Sequence, residues 1–110
     1  MLLQIFGLKD CKDTNKAVRF FKERRIDFQY RDLAILGISK KELEHIKRFY
    51  PIEDLINVNG KRYKERNLKY ISHDIETELM NDPLLFTTPI VRGDKFVTVG
   101  YCPEVWKNFL

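Results

Sequence analysis

The sequence has little cysteine, with two residues, Cys11 and Cys102, among 110. Two cysteines do not make the dense disulfide framework of a small secreted domain, so a redox or catalytic use is favoured over a structural one. Histidine is equally scarce, with two residues, and no Cys/His spacing motif accompanies them. No metal site is therefore expected.

Long apolar runs are missing as well. No segment approaches the roughly 20 apolar residues that a membrane-spanning helix needs, and no signal peptide opens the sequence. A cytoplasmic protein without a membrane partner is therefore expected. The net charge is only +4, and basic residues alternate with acidic ones, as from Lys22 to Arg25. This mixing is typical of a solvated surface and not of direct nucleic-acid binding.

What is present fits one globular domain, 1–110, in which 44% of residues are hydrophobic and 33% charged. The N-terminal third predicts a strand ending at Phe6, an amphipathic helix over 14–25 and an alternating strand over 28–32. The short connection between the helix and the second strand implies a right-handed βαβ unit with parallel strands. Six aromatic residues at core-facing spacing are expected to pack inside: Phe20, Phe21, Phe28, Tyr30, Phe96 and Trp106.

Residues 33–82 predict a helical insert. A capping box at Ser39 begins one helix, and Ser72, His73 and Asp74 can cap another. Residues 83–110 then predict a β-hairpin and a terminal helix. The hairpin is expected to have a two-residue turn, Gly93-Asp94. The segments 1–32 and 83–110 would together form the core.

Cys11 lies where the first strand gives way to the first helix. The first-turn amide groups of a helix lack partners and, with the helix dipole, they favour a thiolate. Two flanking lysines support that charge and two flanking aspartates oppose it. Thr14 places a hydroxyl where it could cap the helix or bond the sulfur. The alternative is a small buried hydrophobe, but a turn rich in Lys and Asp is a poor place to bury one.

A βαβ half joined to a ββα half, with a cysteine after the first strand, is the arrangement of the thioredoxin-like α/β fold. Pro89, just before the third strand, takes the position at which that fold carries a cis-proline facing the nucleophilic sulfur. The alternative is a trans proline at the start of a strand, a position that proline tolerates.

Five segments resemble the ArsC/Spx family, which comprises glutaredoxin-coupled arsenate reductases and Spx-type transcriptional regulators. They are 11–17 (CKDTNKA), 55–57 (LIN), 82–85 (DPLL), 88–91 (TPIV) and 99–101 (VGY). The resemblance spans nearly the whole chain and implies a nucleophilic thiolate at Cys11 that attacks an oxyanion or a disulfide. It also implies that Pro89 shapes the substrate side of the site. The substrate would be a small thiol compound or an oxyanion, with no bound cofactor and with glutathione or a glutaredoxin as the reductant.

Arsenate reductases of this family hold the oxyanion with three arginines. The matching positions here are Asn57, Thr88 and Cys102, and none of them is cationic. An oxyanion needs compensating charge, which arginine supplies through paired hydrogen bonds, so arsenate binding is expected to be severely weakened.

Three other cations are candidates for the missing charge. These are Arg92, Arg62 and Lys64. The alternatives are that Arg92 is a strand or turn residue facing solvent and that the other two belong to a polar connector.

Cys102 has a second interpretation under the resemblance, because its position faces the nucleophile in the reductases. It would then be a resolving cysteine that forms a reversible disulfide with Cys11, which requires Cα atoms within about 7 Å. The alternative is that Cys102 packs in the core between Tyr101 and Trp106.

The comparison with Spx-type regulators also has gaps. They pair two cysteines as CxxC, whereas Thr14 occupies the second position here and excludes that switch. They also carry an arginine where this chain has Thr87-Thr88. The alternative function is an Spx-like protein that binds the RNA polymerase α subunit without turnover. A third is a family member that has lost both activities and kept the fold.

Overall fold

The computed structural model describes residues 3–70 and 74–109. The chain divides into two compact units, Met1–Asp32 with Thr88–Leu110, and Leu33–Thr87. The strands are β1 (Gln4–Gly7), β2 (Gln29–Asp32), β3 (Ile90–Arg92) and β4 (Val97–Val99). The α-helices are α1 (Lys12–Glu23), α2 (Leu33–Leu36), α3 (Lys40–Lys47), α4 (Lys61–Glu65), α5 (Ile75–Asn81) and α6 (Pro103–Asn108). Short 3-10 turns occupy Ile52–Asp54, Leu68–Tyr70 and Pro83–Leu85.

The first unit is built on a four-stranded mixed sheet with the order β2-β1-β3-β4. β1 and β2 are parallel and joined through α1, whereas β3 is antiparallel to both β1 and β4. This is the βαβ–ββα order expected from the sequence, and the thioredoxin-like α/β fold is confirmed. The C-terminal ends of β1 and β4 and the start of β3 lie at the same end of the sheet.

Apolar side chains of the sheet, α1 and α6 form the core of this unit. They are Leu3, Ile5, Ala17, Phe20, Phe21, Val91, Phe96 and Trp106. The prediction that Tyr30 belongs to this core is wrong, because its side chain is 38% exposed. Tyr30 lies on β2, an edge strand that has a neighbour on one side only, and its ring is only partly covered.

The β3–β4 hairpin turns one residue later than predicted. Arg92 pairs with Val97, and the Gly93 N–H donates to the Phe96 carbonyl oxygen at 2.9 Å. The two turn residues are therefore Asp94 and Lys95, and the predicted Gly93-Asp94 turn is wrong. A Cβ on Gly93 would lie 2.5 Å from Phe96 Cε1, so the Phe96 ring packs where a side chain would stand.

The second unit is helical, and the predicted capping box at its α3 start is confirmed. Ser39 accepts the Glu42 N–H, while the Glu42 side chain accepts the Ser39 N–H. Asp74 caps α5 by accepting the Thr77 N–H at 3.1 Å, whereas Ser72 and His73 lie outside the described residues. The sequence did not predict the short helices α2 and α4.

Residues 83–87 group with the second unit, although the sequence placed the end of the insert at 82. The cause is a pair of main-chain hydrogen bonds within that unit. Asn57 N–H donates to the Leu85 carbonyl and Thr87 N–H to the Leu55 carbonyl, each at 2.8 Å. Over the ranges given above, every helix is too short or too polar to cross a membrane.

Candidate functional site

Cys11 is the N-cap residue of α1. Its backbone is extended (φ −84°, ψ 118°), and its carbonyl oxygen accepts the first helical hydrogen bond, from Asn15 N–H at 3.1 Å. The Cys11 N–H donates to the Leu8 carbonyl at 3.0 Å, which closes the turn between β1 and the helix. The helix therefore begins at Lys12, two residues earlier than predicted. The half-buried sulfur lies beside the free amide groups of the first turn.

The pKa of the Cys11 thiol reflects opposing influences. Burial raises the pKa, but hydrogen bonds from the Thr14 and Thr88 side chains and from the Thr14 and Asp13 backbone N–H groups lower it. The net pKa is lowered, so a larger fraction of the sulfur is thiolate than in an ordinary cysteine. The protonated thiol has its own partner, the Thr88 carbonyl oxygen at 3.5 Å.

Thr14 lies in the first turn of α1 and does not cap the helix. Its side chain is only 1% exposed, and within the described part of the chain its hydroxyl has no partner of ordinary hydrogen-bond geometry. A hydrogen bond from this hydroxyl to the thiolate form of Cys11 lowers the pKa of that thiol. Because a thiolate accepts a hydrogen bond far better than a thiol, the buried hydroxyl is satisfied when Cys11 ionises.

Pro89 stands at the start of β3, and its peptide bond with Thr88 is cis. The Thr88 side chain is buried, and its carbonyl oxygen faces the Cys11 sulfur. The Pro89 carbonyl accepts the Gly100 N–H at 2.8 Å, which ties the start of β3 to the end of β4. The structure thus brings Cys11, Thr14 and Thr88 together, with Pro89 next in the chain.

Cys102 follows β4 at the same end of the sheet and is the N-cap residue of α6. Its thiol donates to the Val99 carbonyl oxygen at 3.5 Å and packs against the core of the first unit. Burial raises the pKa of this thiol. Both cysteines are free. The strands that precede them, β1 and β4, are separated by β3 and are therefore about 10 Å apart. The Cys11–Cys102 disulfide stays a prediction.

Arg92 and Asn57, two further oxyanion-binding candidates, make hydrogen bonds to residues other than Cys11. Arg92 pairs with Gln4 in the sheet register, at the end of β1 opposite Cys11, and its guanidinium donates to the Gln4 side-chain oxygen. Asn57 belongs to the second unit, where its side-chain oxygen accepts the Asn59 N–H at 3.2 Å.

Arg62 is also in the second unit and is already engaged. Its Nε donates to the Asp82 carboxylate at 2.7 Å, and this hydrogen bond raises the pKa of Arg62. Lys64, which stands in the same helix α4, is exposed.

Tyr30 is a site neighbour that sequence reasoning missed. Burial and the negative charges of Asp32 and Cys11 raise the pKa of its phenol, so the ring lies within electrostatic reach of the thiol. The pairing of Gly7 with Asp32 shows why, since β2 runs beside β1 toward the end that carries Cys11. The parallel βαβ unit predicted from the sequence already implied this proximity, because it places β2 beside β1.

A surface cleft of about 490 Å³ in the first unit does not include Cys11 among its lining residues. It is lined by Lys16, Arg19, Phe20, Glu23, Arg24, Tyr101, Pro103 and Lys107. It is therefore not a pocket around the thiol. Among residues 3–70 and 74–109, no three His, Cys, Asp or Glu side chains gather into a group that could hold a metal ion.

No family model matches the sequence. The global transcriptional regulator Spx of Staphylococcus epidermidis is 23% identical over 114 residues, which cover 99% of this chain and 87% of that protein. An ArsC family related protein from Bacteroides fragilis superposes with a TM-score of 0.85 at 24% identity, covering 100% of this chain and 98% of that one. An arsenate reductase from Vibrio cholerae gives 0.80 at 19% identity, with the same coverage. The solved structures therefore agree in fold, while the similar proteins include both a transcriptional regulator and an arsenate reductase.

Proposed function

The chain belongs to the ArsC/Spx family and has a thioredoxin-like fold, and from that premise we propose that it is a thiol-dependent oxidoreductase with Cys11 as its nucleophile. The observation that carries this proposal is the lowered pKa of a half-buried thiol at the start of a 12-residue helix. A buried structural cysteine would have a raised pKa instead, as Cys102 has.

The proposed reaction is the reduction of a disulfide that carries a small thiol such as glutathione. The Cys11 thiolate attacks one sulfur of the substrate, forms a Cys11 mixed disulfide and releases the other sulfur as a thiolate, which takes up a proton. A second thiolate, from glutathione or a glutaredoxin, then attacks the mixed disulfide. It bonds to the small-thiol sulfur while Cys11 leaves as a thiolate, so the products are the reduced substrate thiol and a disulfide between the incoming thiol and the small thiol that the substrate carried.

Three further residues have roles in this proposal. Thr14 and Thr88 donate hydrogen bonds that stabilise the attacking thiolate, and later the same thiolate as a leaving group. Pro89 lies between Thr88 and β3, and we assign it the role of shaping the substrate side of the site. We also propose Cys102 as a resolving cysteine, which a Cys11–Cys102 disulfide in the oxidised protein would demonstrate.

Arsenate is a less favoured substrate in this proposal. None of Asn57, Thr88 and Cys102 carries a positive charge, and Arg62 and Arg92 donate to Asp82 and Gln4, respectively. A bound arsenate would therefore lack the bidentate arginine contacts that recognise such an anion.

The deciding experiment is a turnover assay with a glutathione mixed disulfide and, separately, with arsenate. Wild type, Cys11→Ser and Cys102→Ser are compared, each with glutathione and with a glutaredoxin as reductant. The proposal expects turnover of the mixed disulfide that Cys11→Ser abolishes and arsenate reduction at background level. Wild-type turnover no higher than that of Cys11→Ser would contradict it. Loss of turnover in Cys102→Ser would support a resolving role.

A second candidate function is an Spx-like regulator that binds the RNA polymerase α subunit without turnover. It is favoured by the named Spx relatives, which align with 99% of this chain in the case of the Staphylococcus epidermidis protein. A pull-down with the C-terminal domain of the α subunit tests it. Retention of that domain by a protein without turnover would support the regulator, and no retention would remove it.

A further inference from the structure

Gly7, the last residue of β1, packs directly against Thr14 of α1. A Cβ built on Gly7 would stand 3.0 Å from Thr14 Oγ1 and 3.2 Å from Thr14 Cβ, and it would overlap Thr14 Cγ2 at a separation under 3.0 Å that real Cβ atoms essentially never show. Gly7 is itself buried, so a side chain there could not turn toward solvent. The space that a side chain at position 7 would need is filled by the threonine.

The backbone of Gly7 does not account for the glycine. Gly7 belongs to β1 and pairs in register with Asp32 and, unlike Gly37 and Gly100, it has no positive φ. Its conformation is therefore open to any L-residue, and a glycine inside a strand is otherwise unfavourable. Close approach of another group is the remaining reason for glycine at such a position.

The group that approaches is Thr14, which lies in the first turn of α1, three residues after the N-cap residue Cys11. Thr14 has a buried hydroxyl without an ordinary partner in the described chain, and its chemically suitable acceptor is the ionised Cys11 sulfur. Threonine has a restricted χ1, so contact on its Cγ2 side fixes the direction of the hydroxyl as well. Gly7 thereby controls where that hydroxyl points.

We propose that Gly7 is a positioning residue for the reactive thiol: by lacking a side chain, it leaves the space in which Thr14 packs and holds its hydroxyl at the Cys11 sulfur. A methyl group at position 7 would force the threonine to another rotamer or lift the first turn of α1 from β1. Either movement takes the hydroxyl away from the sulfur and disfavours the thiolate. This inference concerns the same thiol as the proposed function, but its test needs no turnover.

The test measures the pH dependence of Cys11 alkylation in a Cys102→Ser background, so that one thiol reports. Gly7→Ala is expected to slow alkylation at pH 7 by about fivefold to tenfold, because the charged thiolate loses one hydrogen bond and the more basic thiolate that remains is a better nucleophile, which offsets part of the loss. It should also move the midpoint to higher pH. Gly7→Ala/Thr14→Ser is expected to recover most of the rate, because serine keeps the hydroxyl and lacks the overlapping Cγ2.

Gly93→Ala is the matched control. It also places a Cβ against a packed neighbour, 2.5 Å from Phe96 Cε1, but at the end of β3 remote from Thr88. It is expected to lower the stability of the fold and to leave the pH dependence of Cys11 alkylation unchanged. A control variant that shifts the profile as Gly7→Ala does would overturn the inference, since a general loss of stability would then explain both.

Three further results separate the outcomes. A Gly7→Ala profile equal to that of the parent, with the parent midpoint still low, overturns this inference and leaves the proposed function standing. An ordinary midpoint in the parent overturns the proposed function itself. If Gly7→Ala does not fold, Gly7→Ala/Thr14→Ser is compared with Thr14→Ser. A double variant that folds and is alkylated at Cys11 at a rate within twofold of that of Thr14→Ser supports the inference. A double variant that does not fold overturns it.

Discussion

The Cys11 sulfur lies 3.5 Å from the main-chain carbonyl oxygen of Thr88, although 77 residues separate the two in the chain. The carbonyl accepts a hydrogen bond from the thiol only, whereas the Thr14 and Thr88 side chains donate to the thiolate. The sulfur thus has a hydrogen-bond partner in each protonation state. The lowered pKa shows that the donors outweigh burial.

The two cysteines should differ in reactivity. Hydrogen bonds to its thiolate lower the pKa of Cys11, and burial raises that of Cys102, so Cys11 is expected to react with iodoacetamide about tenfold faster or more at pH 7. Mass spectrometry of the alkylated peptides measures both rates at once. Cys102→Ser should keep the fast phase and Cys11→Ser the slow one. Equal rates at the two sites would contradict the expectation.

Folding stability should depend on the ionisation of Cys11. Its folded pKa lies below the unfolded value of about 8.5, so ionisation adds stability that is fully present above that unfolded pKa. This stability is lost as the pH falls through the folded pKa. Urea unfolding of wild type and Cys11→Ser between pH 5 and about 9.5 measures the difference. It should increase with pH across this window, and a constant difference would argue against the assignment.

Asp82 should be a large contributor to the stability of the second unit. Its buried carboxylate accepts hydrogen bonds from Arg62 Nε at 2.7 Å and Arg66 Nη1 at 3.2 Å, and Arg66 also reaches Glu78 at 2.5 Å. Asp82→Asn removes the charge that holds both guanidinium groups. We expect a loss of about 1–3 kcal/mol in the free energy of unfolding, measured by urea titration.

An exposed ion pair supplies the control for that measurement. Glu44 lies 3.4 Å from Lys47, and the Glu44 side chain is 54% exposed. Because solvent screens such pairs, Glu44→Gln is expected to cost under about 0.5 kcal/mol. Similar losses for the two variants would show that the buried carboxylate has no special role.

The indole N–H of Trp106 is satisfied by the hydroxyl group of Thr98. Its Nε1–H donates to Thr98 Oγ1 at 2.7 Å, and both groups are buried. Thr98→Val would leave the indole N–H unsatisfied, at a cost of about 1–3 kcal/mol. Trp106 is the sole tryptophan, so its fluorescence follows urea unfolding directly. Thr98→Ser keeps the hydroxyl and should retain most of the stability, and an equal loss in both variants would point to packing instead.

Local patterns predicted the elements whose signals are contained in a few neighbouring residues. The capping box at Ser39 formed as expected because both of its hydrogen bonds join residues three apart. Pro103 begins the last helix, and the alternation over 28–32 marked β2. The turn of the last hairpin shifted by one residue because Phe96 packs over Gly93, a contact that no turn rule contains.

The sequence by itself determined that Cys11 stands between a strand and a helix, since apolar run, turn and amphipathic pattern follow one another locally. It did not predict that Thr88 lies at the sulfur, that Tyr30 on an edge strand is partly exposed, or that Arg62 binds Asp82. Those relationships join residues far apart in the chain, and strand order and packing decide them. The reactivity of Cys11 is thus set by position in the sequence and tuned by contacts that exist only in the folded chain.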